Sequence, residues 1–271
     1  MDSIKQAVEL ARAAEGAPRL NAGLPPGSSD GSRSGQRDSA TRDVRLDPQH
    51  LEVSRIISHG ASGQHGRYYD MLRTQVLQEF DKKSWQFLAI TSPTAGCGKS
   101  VTACNLALSI ARLPERSVLL VDLDLRKPIV ADYLGLGRNE GVLAVLEGRA
   151  PLSSSVLRAS IGPNSMLVLP GSVSSQGSSE WMASQTMGTL LQTIKRDFRS
   201  RIVIFDLPPM LLGDDVISIL PRMDAAILVA GVGITSVSDI KECQKHLQRT
   251  PVVRVVVNKA TETNESYYGY Y

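Results

Sequence analysis

The sequence predicts an α/β fold in which a mostly parallel β-sheet carries helices on both faces. Apolar runs, many of them rich in β-branched residues, alternate along the chain with stretches of helical composition. The predicted strands cover residues 85–91, 117–121, 166–169, 201–205, 225–229 and 252–257. The predicted helices cover residues 65–83, 100–113, 184–196 and 236–247. Strands that are apolar on both faces are typical of parallel sheets buried between helices.

The ordered domain is predicted to span residues 46–260. Its first helix carries apolar residues at steps of three and four, namely Tyr69, Leu72, Val76 and Phe80. Residues 16–45 are rich in Gly, Ser, Pro and Asp, and they hold too few apolar side chains to offset the entropy cost of ordering. We therefore expect a disordered linker there. Residues 1–15 place apolar side chains at helical spacing, which is compatible with a short amphipathic helix for a partner or with a frayed terminus.

Composition narrows the class of protein. Of the 271 residues, 42% are hydrophobic, which is enough for a substantial core. The net charge of +3 is too small to indicate a nucleic acid partner. Three cysteines without paired spacing favour a reduced, cytoplasmic setting. The longest apolar run, residues 225–234, is about half as long as a membrane-spanning helix. We therefore expect a cytoplasmic protein that reaches a membrane only through another chain.

A glycine-rich loop lies between the first predicted strand and the next helix. It ends in Gly98-Lys99-Ser100, and this strand–loop–helix context favours a phosphate-binding P-loop. Gly96 and Gly98 let backbone N–H groups turn toward an anion, Lys99 can reach the β- and γ-phosphates, and Ser100 can bind Mg²⁺. The alternative is a glycine-rich turn with a surface lysine. The residues expected to bind the nucleotide here are Thr94, Ala95, Gly96, Cys97, Gly98, Lys99, Ser100 and Val101.

Carboxylates follow two further predicted strands. Asp122 and Asp124 come after the run at 118–121, and Asp206 comes after the run at 201–205. Ligands of parallel α/β sheets bind at the carboxyl ends of the strands, so these side chains should meet the glycine-rich loop. Beside a Mg-nucleotide, such carboxylates can position the metal and accept a proton. Each Asp alone is also compatible with a helix cap or a turn.

Together these motifs resemble those of the bacterial tyrosine kinases (BY-kinases) that control capsule and exopolysaccharide export. The resemblance covers roughly residues 65–271 and rests on three motifs, known in that family as Walker A, A′ and B: Gly96–Ser100, Asp122-x-Asp124-x-Arg126-x-Pro128 and Asp206-x-Pro208-Pro209. It implies a P-loop NTPase of the deviant-Walker type that uses ATP and Mg²⁺ to phosphorylate protein tyrosine.

The resemblance also assigns roles to individual residues. It implies that Lys99 and Ser100 bind phosphate and Mg²⁺, and that Asp206 binds the metal. Asp122 and Asp124 would share metal positioning and activation of the substrate tyrosine, with either residue as the base. Asn258, at the end of the last strand, would lie near the adenine.

The C-terminal residues 261–271 end in a cluster of tyrosines: Tyr267, Tyr268, Tyr270 and Tyr271. The polar approach to them favours a flexible tail, although an aromatic end packed on the domain is an alternative. By the same resemblance, these tyrosines are autophosphorylation sites that reach a neighbouring subunit of a homo-oligomer. The partners implied are an activating transmembrane polysaccharide co-polymerase at the inner face of the plasma membrane and a cognate phosphatase.

The sequence departs from the BY-kinase pattern in its loop, in its oligomerisation helix and in its short tyrosine cluster. Cys97 replaces a charged residue in the loop. The oligomerisation helix usually reads Glu-x-x-Arg-x-x-Arg, and this chain has Arg67, Asp70 and Arg73 at those positions. Two rival functions remain, a partition or septum-site ATPase and a non-catalytic ATP-binding regulatory subunit of an export complex. Thr94, at the position of the signature lysine of partition ATPases, and the tyrosine cluster argue against the first rival.

Overall fold

The computed structural model describes residues 41–58, 64–137, 140–171 and 177–260. The helix predicted within residues 1–15 and the tyrosine-rich tail at 261–271 lie outside these ranges. So does the part of the predicted linker that precedes residue 41.

The described residues form a single eight-stranded sheet. Its strands are β1 (Arg42–Arg45), β2 (Phe87–Thr91), β3 (Val118–Asp122), β4 (Leu157–Ile161), β5 (Asn164–Leu169), β6 (Ile202–Asp206), β7 (Ala225–Gly231) and β8 (Val252–Asn258). They lie in the order β1-β4-β5-β3-β6-β2-β7-β8, and only β4 and β5 pair antiparallel. The predicted mostly parallel sheet is therefore confirmed.

Ten α-helices occur within the described ranges. They are α1 (Pro48–Val53), α2 (Gln64–Lys83), α3 (Lys99–Ala111), α4 (Val130–Leu134), α5 (Gly141–Leu146), α6 (Leu152–Ser155), α7 (Ser178–Ala183), α8 (Gln185–Asp197), α9 (Asp215–Ile219) and α10 (Val237–His246). The predicted strands and helices are all present, with ends that differ by about two residues or less. None of the helices in the described part of the chain has the length and apolar content needed to cross a bilayer.

Alternate residues of the central strands enter two separate cores. Leu88 and Ile90 of β2 pack in the core that includes buried side chains of α2 and α3. Phe87 and Ala89 of the same strand pack in the core formed with α7, α8 and α9. Because successive side chains of a strand point to opposite faces, both faces of the sheet are covered by helices. The prediction of helices on both faces is confirmed.

The structure corrects the boundary of the predicted linker. Residues 42–45, assigned to the linker, form strand β1, which pairs in parallel with β4 from Arg42↔Leu157 to Arg45↔Ser160. Only Val44 of β1 is partly buried, and the rest of the strand is exposed. An edge strand held by backbone hydrogen bonds needs no apolar run, so its composition resembled that of the linker.

A polar cluster holds α2 against α3. Asp70 Oδ1 accepts a hydrogen bond from Ser109 Oγ at 2.6 Å, and it lies 3.2 Å from Arg112 Nη1. Arg73 Nη1 donates to Asp70 Oδ1 at 3.1 Å and to the Ser109 carbonyl at 3.0 Å. Two of the three positions compared above with the oligomerisation pattern, Asp70 and Arg73, thus make contacts within the chain. This cluster fixes α2 to the helix that follows the glycine-rich loop.

Replacing Phe205 by alanine tests the core on the α8 side. Phe205 is fully buried, and its ring centroid lies 5.1 Å from that of Phe87. We expect Phe205→Ala to lower the free energy of unfolding by about 3–5 kcal/mol, because a cavity replaces the ring. Val237→Ala, at a residue that is 71% exposed, serves as the control and should change it by about 0.5 kcal/mol or less. Urea denaturation measures both, and equal losses for the two variants would contradict this packing.

Candidate functional site

The glycine-rich loop has the backbone shape that an anion site requires. Gly96 and Gly98 have φ angles of 81° and 94°, in the left-handed region that favours glycine. Gly98 is the N-cap of α3, so the helix begins at Lys99. A Cβ atom on Gly98 would overlap the side-chain amide of Asn258. The loop thus presents the free N–H groups of a 13-residue helix to the space above β2.

Lys99 lies between the carboxylate of Asp124, which follows β3, and that of Asp206, which ends the neighbouring strand β6. Its Nζ is 2.8 Å from Asp124 Oδ2 and 3.3 Å from Asp206 Oδ2. The same ammonium donates to Ser100 Oγ at 3.1 Å. Lys99 is 9% exposed and Asp206 is fully buried, so these charges interact with little screening by solvent. The three predicted motifs therefore meet at one point.

Asp122 and Asp124 have different surroundings. Asp122 is fully buried, and its Oδ2 accepts hydrogen bonds from the backbone of Ile129 at 3.0 Å and Val130 at 3.1 Å. Its Oδ1 accepts from the backbone N–H of Asp124 at 3.1 Å. Asp124 instead lines the open cleft, where its Oδ2 contacts Lys99. Asp122 holds the turn, and Asp124 presents a carboxylate to the cleft.

The carboxylates and the lysine shift one another's pKa values. Burial and the adjacent Asp206 carboxylate raise the pKa of Asp122 to about 7. Burial also raises the pKa of Asp206, although the Lys99 ammonium opposes that shift. Burial disfavours the charged form of Lys99, yet Asp206 and Asp124 raise its pKa above the ordinary value. The site therefore keeps a cation at Lys99 and has an excess of carboxylates around it.

The donor set at this point fits Mg²⁺ bound together with a nucleotide. Ser100 Oγ and the Asp206 carboxylate both lie within hydrogen-bond distance of Lys99 Nζ, at 3.1 and 3.3–3.4 Å. Magnesium prefers oxygen ligands and is commonly held by one or two protein oxygens together with substrate phosphates. The carboxylates outnumber the one ammonium, so a further cation would be stabilised here.

A cleft of about 1300 Å³ opens above these groups. Residues of the loop, the A′ segment and the end of β8 line it, together with residues of α1, α2 and the turn after α1. Of the predicted site residues, those that line the cleft are Ala95, Gly96, Gly98, Lys99, Ser100, Val101, Asp124 and Asn258. Asn258 Nδ2 also donates to the Cys97 carbonyl at 2.9 Å, so the end of β8 is fixed to the loop. The four predicted phosphorylation sites in the tail lie beyond the described residues.

Cys97 is enclosed by hydroxyl groups. It is fully buried, and its Sγ lies 3.3 Å from Thr235 Oγ1 and 3.3 Å from the Thr94 carbonyl. Burial would raise the pKa of the Cys97 thiol, but hydrogen bonds from Thr235 and Thr94 lower it below its ordinary value. Thr235, which follows β7, was not predicted as part of the site because nothing in its local sequence signals the contact. Cys97, which departs from the family pattern, thus helps to hold the loop in place through these contacts.

Gly98→Ala tests the need for glycine at the start of α3. We expect at least a tenfold loss of affinity for Mg-ATP for two reasons. The new methyl group would push the Asn258 side chain away, and alanine is strained at the left-handed φ of position 98. Gly137→Ala is the control, since Gly137 has φ 69° but nothing within 4 Å of its Cβ position. It should cost about 1 kcal/mol of stability and no affinity. Calorimetric titration that finds equal affinities for Gly98→Ala and the parent protein would refute the arrangement.

Asp206→Asn tests the excess of buried carboxylates. We expect the melting temperature of the nucleotide-free protein to rise by about 2–4 °C, because one repelling buried charge is removed. The same variant should lose the stabilisation that Mg-ATP gives the parent protein. Thermal denaturation with and without Mg-ATP measures both effects, with the exposed Glu115→Gln as the control. A lower melting temperature together with full stabilisation by Mg-ATP would contradict this view of Asp206.

The comparisons with known proteins agree with this geometry. Residues 88–268 match the family described as the CobQ/CobB/MinD/ParA nucleotide binding domain. The putative tyrosine-protein kinase EpsB of Ralstonia nicotianae is 32% identical over 200 residues, which are 73% of this chain and 26% of that protein. The tyrosine-protein kinase CpsD of Streptococcus pneumoniae serotype 4 is 30% identical over 198 residues, which are 71% of this chain and 83% of that protein. The chain thus spans about a quarter of the length of EpsB and most of the length of CpsD.

Solved structures agree at the level of the fold. The VpsO kinase domain has a TM-score of 0.62 and 25% identity, and the match covers 74% of this chain and 100% of that chain. A plasmid partition protein of Borrelia burgdorferi has a TM-score of 0.53 and 18% identity, over 67% of this chain and 83% of that chain, so it shares the fold alone. The predicted resemblance to bacterial tyrosine kinases is confirmed. The chain belongs to the bacterial tyrosine-protein kinase family, and its residues 88–268 belong to the CobQ/CobB/MinD/ParA nucleotide binding domain family.

Proposed function

We propose that this protein is an ATP-dependent tyrosine autokinase that phosphorylates its own C-terminal tyrosines, Tyr267, Tyr268, Tyr270 and Tyr271. The observation that carries the proposal is the buried contact of Lys99 with Asp124 and Asp206, at 2.8 and 3.3 Å, beneath the cleft. This arrangement joins a phosphate-binding cation to a carboxylate that is open to an acceptor. The similarity to CpsD over most of its length supports the same activity.

The nucleotide would be bound by the loop and by the end of β8. The N–H groups at the start of α3 and the Lys99 ammonium would bind the phosphates. Ser100 and Asp206 would hold Mg²⁺, which neutralises charge on the phosphates when it is bound. Asn258, fixed to the loop at Cys97, would lie near the adenine. Asp122 would contribute through the turn that it holds rather than through the open cleft.

Asp124 is the side chain best placed to accept the tyrosine proton. Its Oδ1 is occupied by the backbone N–H of Lys127 at 3.0 Å, whereas its Oδ2 contacts Lys99. When Lys99 turns toward a phosphate, Oδ2 is left with a free lone pair that faces the cleft. A carboxylate in that position can take the proton as the tyrosine oxygen attacks the γ-phosphorus and its bond to the ADP oxygen breaks, which releases ADP. The geometry thus favours Asp124 over Asp122 as the base.

The last described residue lies beside the cleft. Ala260 is among the lining residues, and Tyr267 comes seven residues later, about 25 Å of extended chain at most. That reach supports tail tyrosines as acceptors, in the same copy or in a neighbouring copy of a homo-oligomer. Each phosphate adds about two negative charges, so phosphorylation would change the assembly preference of the tail.

We further propose that the protein acts in the cytoplasm on exopolysaccharide or capsule polymerisation and export. A separate transmembrane polysaccharide co-polymerase would recruit it to the inner face of the plasma membrane and activate it. A cognate phosphatase would reverse the modification, and no nucleic acid is involved. Membership of the bacterial tyrosine-protein kinase family supports the proposal of these partners.

Phosphosite mapping by mass spectrometry after incubation with Mg-ATP and the co-polymerase tests the function. We expect phosphate on the four tail tyrosines, and a decrease of at least about 100-fold in Lys99→Met, because the phosphate-binding cation is lost. Lys245→Met, which removes an exposed lysine of α10 paired with Glu242, is the control and should retain full activity.

Lys99→Met also leaves buried carboxylates unpaired, so this variant could lose its label through misfolding. A second variant, which leaves the folded domain unchanged, is therefore needed. Replacing the four tail tyrosines by phenylalanine should abolish the label without touching the folded site. Hydrolysis of ATP with an unmodified tail would instead indicate a partition-type ATPase. Nucleotide binding with neither activity would indicate a regulatory subunit.

A further inference from the structure

Arg126 belongs to the A′ motif, and the proposed kinase function gives its side chain no role. Its side chain is 44% exposed and lines the same cleft as Asp124. Its Nε and Nη2 donate to Asp215 Oδ2 at 3.0 and 2.7 Å, and its Nη2 also donates to Ser179 Oγ at 3.2 Å. Among the described residues, Nη1 makes no hydrogen bond. One edge of the guanidinium is therefore fixed, and the other keeps two N–H donors for a ligand.

Asp215, the partner of Arg126, is placed so that it holds the guanidinium in one position. Asp215 is 2% exposed and begins α9, on the helix layer opposite α2 and α3. A Cβ atom on Gly213 would lie 2.6 Å from Arg126 Nη2 and 2.8 Å from Asp215 Oδ2. The ion pair between Arg126 and Asp215 can therefore form in this geometry only if position 213 has no side chain. A buried carboxylate and a required glycine together fix one orientation of an otherwise flexible arginine.

The order of the strands places Arg126 away from the proposed adenine site. Arg126 follows β3, whereas Asn258 ends β8, and these two strands lie on opposite sides of β2 in the sheet. The phosphates are expected above β2, so the side of β3 is where a molecule attacking the γ-phosphate must enter. Leu212, next to Gly213, is 54% exposed in the same cleft and offers an apolar surface to an aromatic ring.

We propose that Asp215 and Gly213 hold the Arg126 guanidinium at the acceptor side of the cleft, where Arg126 binds an anionic oxygen of the segment that carries the target tyrosine. The inference rests on the kinase function proposed above. Guanidinium groups bind carboxylates and phosphates with charge-assisted hydrogen bonds. The tail can supply either group, as Glu262 and Glu265 before Tyr267 or as phosphate on a tyrosine already modified.

Peptide kinetics test this role in the full chain, with its four tail tyrosines replaced by phenylalanine so that a peptide of residues 260–271 is the acceptor. We expect Arg126→Gln to raise the KM for the peptide about tenfold or more, while kcat and the KM for ATP stay within about twofold. Gly213→Ala should raise the same KM without removing any charge, because it displaces the guanidinium. Arg126→Lys should restore part of the affinity.

Matched controls come from a surface pair of similar geometry. Arg116 makes two hydrogen bonds to Asp81, at 2.9 and 2.7 Å, away from the cleft. Arg116→Gln and Asp81→Asn should leave the peptide KM unchanged, whereas Asp215→Asn should raise it. Because Asp215→Asn alters a buried group, its melting temperature is measured in parallel. The Gly213→Ala and Arg126→Gln variants decide the question if Asp215→Asn fails to fold.

Two further peptides identify the anion. If the penalty for Arg126→Gln disappears with Glu262→Gln and Glu265→Gln in the peptide, Arg126 binds the tail carboxylates. If the penalty grows when one tyrosine is already phosphorylated, Arg126 binds that phosphate. An Arg126→Gln variant that raises the KM for ATP instead, or that changes neither KM, overturns the proposal. If the parent chain hydrolyses ATP but phosphorylates no peptide, both the proposed kinase function and the proposed acceptor site are refuted.

Discussion

The ammonium of Lys99, held between the carboxylates of Asp124 and Asp206, is the contact on which the rest of the site depends. It joins the helix after β2 to the segment after β3 and to the end of β6, and these two strands are the nearest two on one side of β2. Each carboxylate is nearly or fully buried, so without this cation the charges would be strongly unfavourable. The fold is therefore consistent with a site in which Mg²⁺ replaces the Lys99 ammonium beside the carboxylates when a Mg-nucleotide binds.

The arrangement follows from strand register. Asp122 and Asp206 are direct neighbours across the β3–β6 pair, and both are fully buried at the carboxyl edge of the sheet. Evolution for stability alone would not place two carboxylates there, because burial raises the pKa of each. Such local cost is expected where function requires it. The three backbone hydrogen bonds to Asp122 show how the chain limits that cost while leaving Asp124 free to face the cleft.

Much of this could be predicted from the sequence because the strong signals are local. The apolar runs locate the central strands, and the carboxyl ends of parallel strands must meet at one edge, so Asp122, Asp124 and Asp206 were expected beside Lys99. Strand β1 was missed because an edge strand with one partly buried residue lacks an apolar run. The pairing of Arg126 with Asp215 joins residues 89 positions apart, and no local pattern in one sequence indicates such a contact.

A structure of the protein with Mg²⁺ and a non-hydrolysable ATP analogue would show whether Lys99 leaves the two carboxylates when a nucleotide binds. We expect the triphosphate to lie against the start of α3, with Lys99 moved from Asp124 and Asp206 onto its oxygens and with Mg²⁺ bound by Ser100 and Asp206. An analogue bound elsewhere in the cleft, with Lys99 still between the two carboxylates, would contradict it.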